Sequence, residues 1–132
     1  MKTKPIASIA VLGLGAGLAI ASAVAGANDY AFEAVEADVK AGAGRDIAVR
    51  LVRKPGGRPV PGAVIFQTRL DMAPDGMADM TSTINPTQSS EPGVYRFKAD
   101  FTMAGRWALT LAAKVQGEAE TVKGTVVLQA KD

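Results

Sequence analysis

Four thioethers stand out once the initiator is set aside, because the chain offers few other groups able to do chemistry. Met72, Met77 and Met80 fall within residues 70–80, LDMAPDGMADM, and Met103 sits in Thr102-Met103-Ala104-Gly105. A thioether is a soft, neutral ligand, and soft sulfur donors select Cu(I) among biological metals. It needs no deprotonation, so protons do not compete for it as they do for histidine or thiolate. Three methionines close along one segment, with a fourth from another turn, form a candidate Cu(I) site that binds and releases the ion.

The same segment holds Asp71, Asp75 and Asp79. Their spacing matches no calcium loop of the EF-hand kind, and a solvated acidic loop is the better account. Alternation of acid and thioether predicts an exposed loop, and apolar groups kept in water call for a reason. Packing competes with ligation as that reason, since methionine fills irregular gaps well. Burying one such side chain is worth about 1.5–3 kcal/mol. For Met103 the packing reading leads.

The rest of the composition excludes much. There is no histidine and no cysteine. That removes the usual general base, the serine and cysteine triads, disulfides and the commonest metal ligand. Ser82, Ser89 and Ser90 have no base to activate them, and neither a Gly-x-Ser-x-Gly elbow nor a phosphate-binding glycine loop occurs. No catalytic residue or organic cofactor site is expected, and the chain reads as a non-enzyme.

The amino terminus argues for export. Lys2 and Lys4 precede an uncharged, Ala- and Gly-rich stretch over residues 5–27, closing on Ala25-Gly26-Ala27. Charged start, apolar middle and small-residue end make a secretory signal. Two readings follow. Cleavage after Ala27 leaves residues 28–132 as one periplasmic or extracytoplasmic domain. An uncleaved segment would instead anchor that domain to the membrane. The mild hydrophobicity of so many Ala and Gly residues favours cleavage. Lys2 and Lys4 are two of the 15 basic residues, leaving 13 against 13 acidic ones in the exported part. Its formal charge is zero, so nothing points to nucleic acid.

What positions the methionines is a series of short strands. Residues 46–53, DIAVRLVR, place Ile47, Val49 and Leu51 on one face. Residues 63–70, AVIFQTRL, place Val64, Phe66, Thr68 and Leu70 together, with Gln67 and Arg69 opposite. Residues 94–101, VYRFKADF, turn Tyr95, Phe97, Ala99 and Phe101 inward. Residues 106–115 do the same with Trp107, Leu109, Leu111, Ala113 and Val115, and residues 119–129 with Val122, Val126 and Leu128. Residues 30–40 suggest a first, edge-like strand, with a short helix as the alternative, and 81–84 a short β-prone run. Pro- and Gly-rich clusters at 54–62 and 85–93 mark turns. About seven short strands at regular spacing and no convincing helix predict an all-β fold, an immunoglobulin-like antiparallel β-sandwich. Trp107 is its expected central aromatic. Arg50, Arg69, Arg96 and Lys98 are expected on the wet face of the sheet.

Three stretches carry a resemblance. They are Gly57-Arg58-Pro59-Val60-Pro61-Gly62-Ala63-Val64-Ile65, Pro92-Gly93-Val94-Tyr95, and Phe101 to Trp107 with its Met-Ala-Gly-x-Trp. With the preceding signal or anchor and the Met-rich loop, the chain resembles the YtkA-like, FixH-type domains of bacterial exported proteins over residues 43–129. The resemblance implies an extracytoplasmic β-sandwich that works beside copper-oxidase assembly or heavy-metal efflux systems. Many members combine Met, His and Met in the loop. The absence of histidine here argues against a Cu(II) or mixed site and leaves a thioether-only Cu(I) site at Met72, Met77, Met80 and Met103. The alternative function uses the same loop without metal, to dock a membrane transporter or an oxidase-assembly partner.

Overall fold

The computed structural model describes residues 27–132. The expected signal or anchor falls on residues 1–27 and lies essentially outside the described residues. Ten strands follow a 3-10 turn at Ala27–Asp29. They are β1 (Tyr30–Ala34), β2 (Asp38–Lys40), β3 (Gly42–Arg53), β4 (Arg58–Pro59), β5 (Val64–Met72), β6 (Met77–Ser82), β7 (Ile84–Thr87), β8 (Val94–Phe101), β9 (Gly105–Lys114) and β10 (Val122–Lys131). One sheet has the order β1-β3-β8-β7, with β4 paired to β3, and the other β2-β10-β9-β5-β6. The two pack into the expected sandwich. The strands beyond the expected number are short ones at edges and turns. No helix among the described residues is long and apolar enough to cross a membrane.

The alternation read from β3, β8, β9 and β10 builds the core. Val49, Leu51, Phe101, Trp107, Leu109, Ala113, Val122 and Leu128 are fully buried. The Trp107 ring meets Phe101 edge to face, with centroids 5.8 Å apart, a favoured aromatic geometry. Its Nε1 donates to the Met103 carbonyl at 3.1 Å, so the one polar atom of the indole is satisfied at the core's rim.

Three expectations need correction. Residues 30–40 form two strands in different sheets. Val35 N still donates to Ala48 O at 3.0 Å in the first sheet, whereas Ala37 O accepts from Gln129 N at 2.7 Å in the second. The chain therefore changes sheet within residues 35–37. Second, the sandwich is not wholly antiparallel, because β2 runs parallel to β10. Third, Val64 and Phe66 do not face the core and are 62% and 52% exposed. The register with β9 shifts between Ile65 and Gln67. A bulge at Phe66 reverses the inside-outside order on its amino-terminal side. Ile65 packs against the core instead, and Phe66 lies outside beneath the Lys114 ammonium, 5.9 Å from its ring centroid.

Two of the motif stretches prove to be halves of one joint. Gly93 adopts φ +80, and a Cβ there would lie 2.5 Å from Pro59 Cβ and 3.1 Å from Val60 N. Leu51 N donates to Gly93 O, and Val60 N donates to Leu51 O, both at 2.9 Å. Tyr95 Oη then donates to Val60 O at 2.6 Å and accepts from Ala63 N at 3.0 Å. Pro-Gly-Val-Tyr thus holds down the Pro-Val-x-Gly-Ala segment that links the two sheets through β4 and β5.

Candidate functional site

The methionine segment is a hairpin rather than a loop. β5 continues to Met72, a 3-10 turn covers Ala73–Asp75, and Gly76 at φ 78 returns the chain into β6. Gly76 suits this turn because glycine enters the left-handed region without a Cβ penalty. Met72 and Met77 are cross-strand partners. Thr81 pairs with Asp71, so Ala78, Asp79 and Met80 have no ladder partner in β5 and bow out from the edge. Every residue from Met77 to Thr81 is exposed.

Two acids hold this tip, which corrects the reading of a solvated acidic loop. Asp71 is 6% exposed. It accepts from Arg69 Nε at 2.7 Å and from Ala73 N at 2.9 Å. Arg69 Nη2 reaches across to the Ala78 carbonyl at 2.9 Å, so one guanidinium ties both strands of the hairpin. Asp75 accepts from Arg106 N at 2.8 Å and from Arg106 Nε at 2.7 Å, while Arg106 Nη2 donates to Pro74 O at 2.7 Å. The backbone amide of Arg106, then its guanidinium, hold the Asp75 carboxyl below the usual carboxylate range. The β5–β6 tip is thereby latched to the start of β9. Among the described residues, no group of three or more carboxylates is placed to hold a metal ion.

The four methionines divide. Met72 is 1% exposed and belongs to the core. Met77, Met80 and Met103 are 37%, 38% and 41% exposed. The packing reading of Met103 is therefore reversed, since Met72 is the packed one. Met103 lies in the β8–β9 turn, where its carbonyl accepts from Trp107 Nε1. A Cβ on Gly105, φ +141, would come within 2.5 Å of Met72 Cε and 2.7 Å of Asp75 Oδ2. The Met-Ala-Gly-x-Trp stretch is thus the seat of the hairpin tip. Its glycine receives Met72 and Asp75, its tryptophan anchors the turn, and Arg106 between them closes the latch. The hairpin and the turn bring Met77, Met80 and Met103 to one end of the sandwich, with Met72 beneath.

Sequence reading missed Asp75 and Arg106 as partners, and Gly105 as the contact point. Pairing them requires knowing that β5 and β9 are neighbours, which no signal along the sequence carries.

A family model described as YtkA-like matches residues 24–112. No curated protein matches the chain. Among solved structures, the chain is similar to one described as the ZirS C-terminal domain, at 11% identity and a TM-score of 0.45, covering 98% of this chain and 83% of that one. The family match spans more than half of the chain and includes the joint at Gly93, the methionine hairpin and the Gly105 seat. The chain belongs to the YtkA-like family.

Proposed function

We propose that this domain is an extracytoplasmic, non-catalytic metal-handling accessory protein that binds Cu(I) through thioethers for delivery, buffering or efflux. The observation that carries the reading is the exposure of Met77 and Met80 on β6 and of Met103 in the β8–β9 turn, in a fold that buries Met72. Exposed apolar groups of this size ordinarily have a use, and thioethers are soft donors suited to Cu(I). A neutral ligand set lets the ion be held without proton release and passed on by ligand exchange. The Asp75–Arg106 latch and the Asp71–Arg69 tie hold the backbone that bears the ligands. Met72 supports the site from below by packing against Gly105.

Anaerobic competition for Cu(I) against a chromogenic chelator tests this. Replacing Met77, Met80 and Met103 together by Leu keeps volume and apolarity, so stability should change by less than about 1.5 kcal/mol. Copper affinity should be lost. Met72→Leu, by contrast, should bind as the parent does. Equal affinity in the parent and the triple variant would sink the proposal.

The same exposure favours a second reading, in which the thioethers dock a membrane transporter or an oxidase-assembly partner. Methionine surfaces repack readily around partners. That reading predicts no copper binding by the parent and weaker association when the three positions become Ser.

A further inference from the structure

The oxidisable side chains of the domain are sorted by burial. The chain has no cysteine and no histidine. Trp107 is 0% exposed and Tyr30 4%, Met72 is 1% exposed, and Tyr95 is half-buried with its hydroxyl engaged at both lone pair and proton. Among the described residues, the readily oxidised groups open to solvent are the thioethers of Met77, Met80 and Met103, all at one end. We infer that these three methionines are sulfoxidation sites for two-electron oxidants of the peroxide class, and that their oxidation switches off the copper site. The second half rests on the Cu(I) reading proposed above.

The chemistry is an oxygen transfer. A sulfur lone pair attacks one peroxide oxygen, the O–O bond breaks, and an S–O bond forms. The other oxygen takes up the proton and leaves as water. Sulfur gives up two electrons and the peroxide is reduced. The product presents a polar oxygen where a soft lone pair stood, which changes an apolar ligand into a polar group with little affinity for Cu(I). Reversal belongs to the thiol-dependent methionine sulfoxide reductases, which return the thioether. The fold tolerates the cycle because the thioether that packs the core is not among the three. Met72 is shielded by the hairpin and by Gly105, whose backbone meets its methyl group.

The test uses the metal-free, exported protein treated with hydrogen peroxide. Peptide mass mapping should find one added oxygen at each of Met77, Met80 and Met103, with Met72 unmodified and thermal unfolding little changed. Oxidation of Met72 at a rate matching the other three would overturn the assignment. Chelator competition should then show loss of Cu(I) affinity in the oxidised protein and its return after treatment with the two epimer-specific methionine sulfoxide reductases together, supplied with a thiol reductant. Unchanged affinity after full oxidation would overturn the switch. Copper binding absent even before oxidation would sink the copper reading and the switch with it, a result distinct from the mass map.

Discussion

Gly105 lies directly against Met72, so closely that no other residue type fits without movement. A Cβ at Gly105 would stand 2.5 Å from the Met72 methyl and 2.7 Å from Asp75 Oδ2, at a φ of +141. Gly105→Ala should therefore destabilise the domain by roughly 1–3 kcal/mol from the backbone conformation alone, with the contact adding to it. Urea unfolding measures the loss. Hydrogen exchange should show it concentrated in the β5–β6 hairpin, and an unperturbed hairpin would show that the seat is not what holds the tip.

The latch predicts a pH dependence. Asp75 is held below the usual carboxylate range by the Arg106 amide and guanidinium. The same direction holds for Asp46 through Lys98, and for Asp100 through Gly44 N and the Thr83 hydroxyl. A carboxyl with a folded pKa below its unfolded one adds stability that is complete above the unfolded value. That stability is lost as pH falls through the folded value, because the unfolded chain takes up protons first. Urea midpoints should therefore decline from neutral to acid pH. Asp75→Asn should make the decline shallower and loosen the tip at neutral pH. A variant with the parent's slope would remove Asp75 from this account.

Tyr95 should matter through its hydroxyl. Tyr95→Phe leaves the Val60 carbonyl and the Ala63 amide without the partner they share. Unsatisfied groups of this kind cost roughly 1–3 kcal/mol when shielded from water. The measurement is again urea stability. A loss no larger than a surface substitution gives would mean that water replaces the hydroxyl.

Trp107→Ala should cost roughly 3–5 kcal/mol, the range for large-to-small changes in a packed core. It also removes the donor that holds the Met103 carbonyl, so the β8–β9 turn should gain mobility. If Met103 is a ligand, copper affinity should fall in this variant even under conditions where it remains folded.

Where strands alternate cleanly, their inward faces were legible: Phe97, Ala99 and Phe101 on β8, and Trp107, Leu109 and Leu111 on β9, are all buried as expected. Phe66 was not legible, because a bulge leaves no mark in a pattern of period two and reverses every face on one side of it. The methionines were identified by type and spacing, but their roles were not. Burial of Met72 and exposure of Met103 depend on which turn lies over Gly105, and that is settled by strand order. Asp71 and Asp75 looked solvated because their partners, Arg69 and Arg106, are read along the sequence as ordinary outward-facing positions.

The chain passes from one sheet to the other along both margins of the sandwich. On one side, β1 and β2 lie in different sheets and are joined through residues 35–37. On the other, β6 and β7 lie in different sheets and are joined at Thr83. Each crossing is itself fastened, the first by Val35 and Ala37 to β3 and β10, the second by Asp100, whose amide donates to Thr83 O and whose carboxylate accepts from its hydroxyl. The two layers are thus stitched by continuous backbone at both hems. The domain has no cysteine and so no inter-sheet disulfide, and the fastening at these hems is made by hydrogen bonds alone. No reductant can undo it.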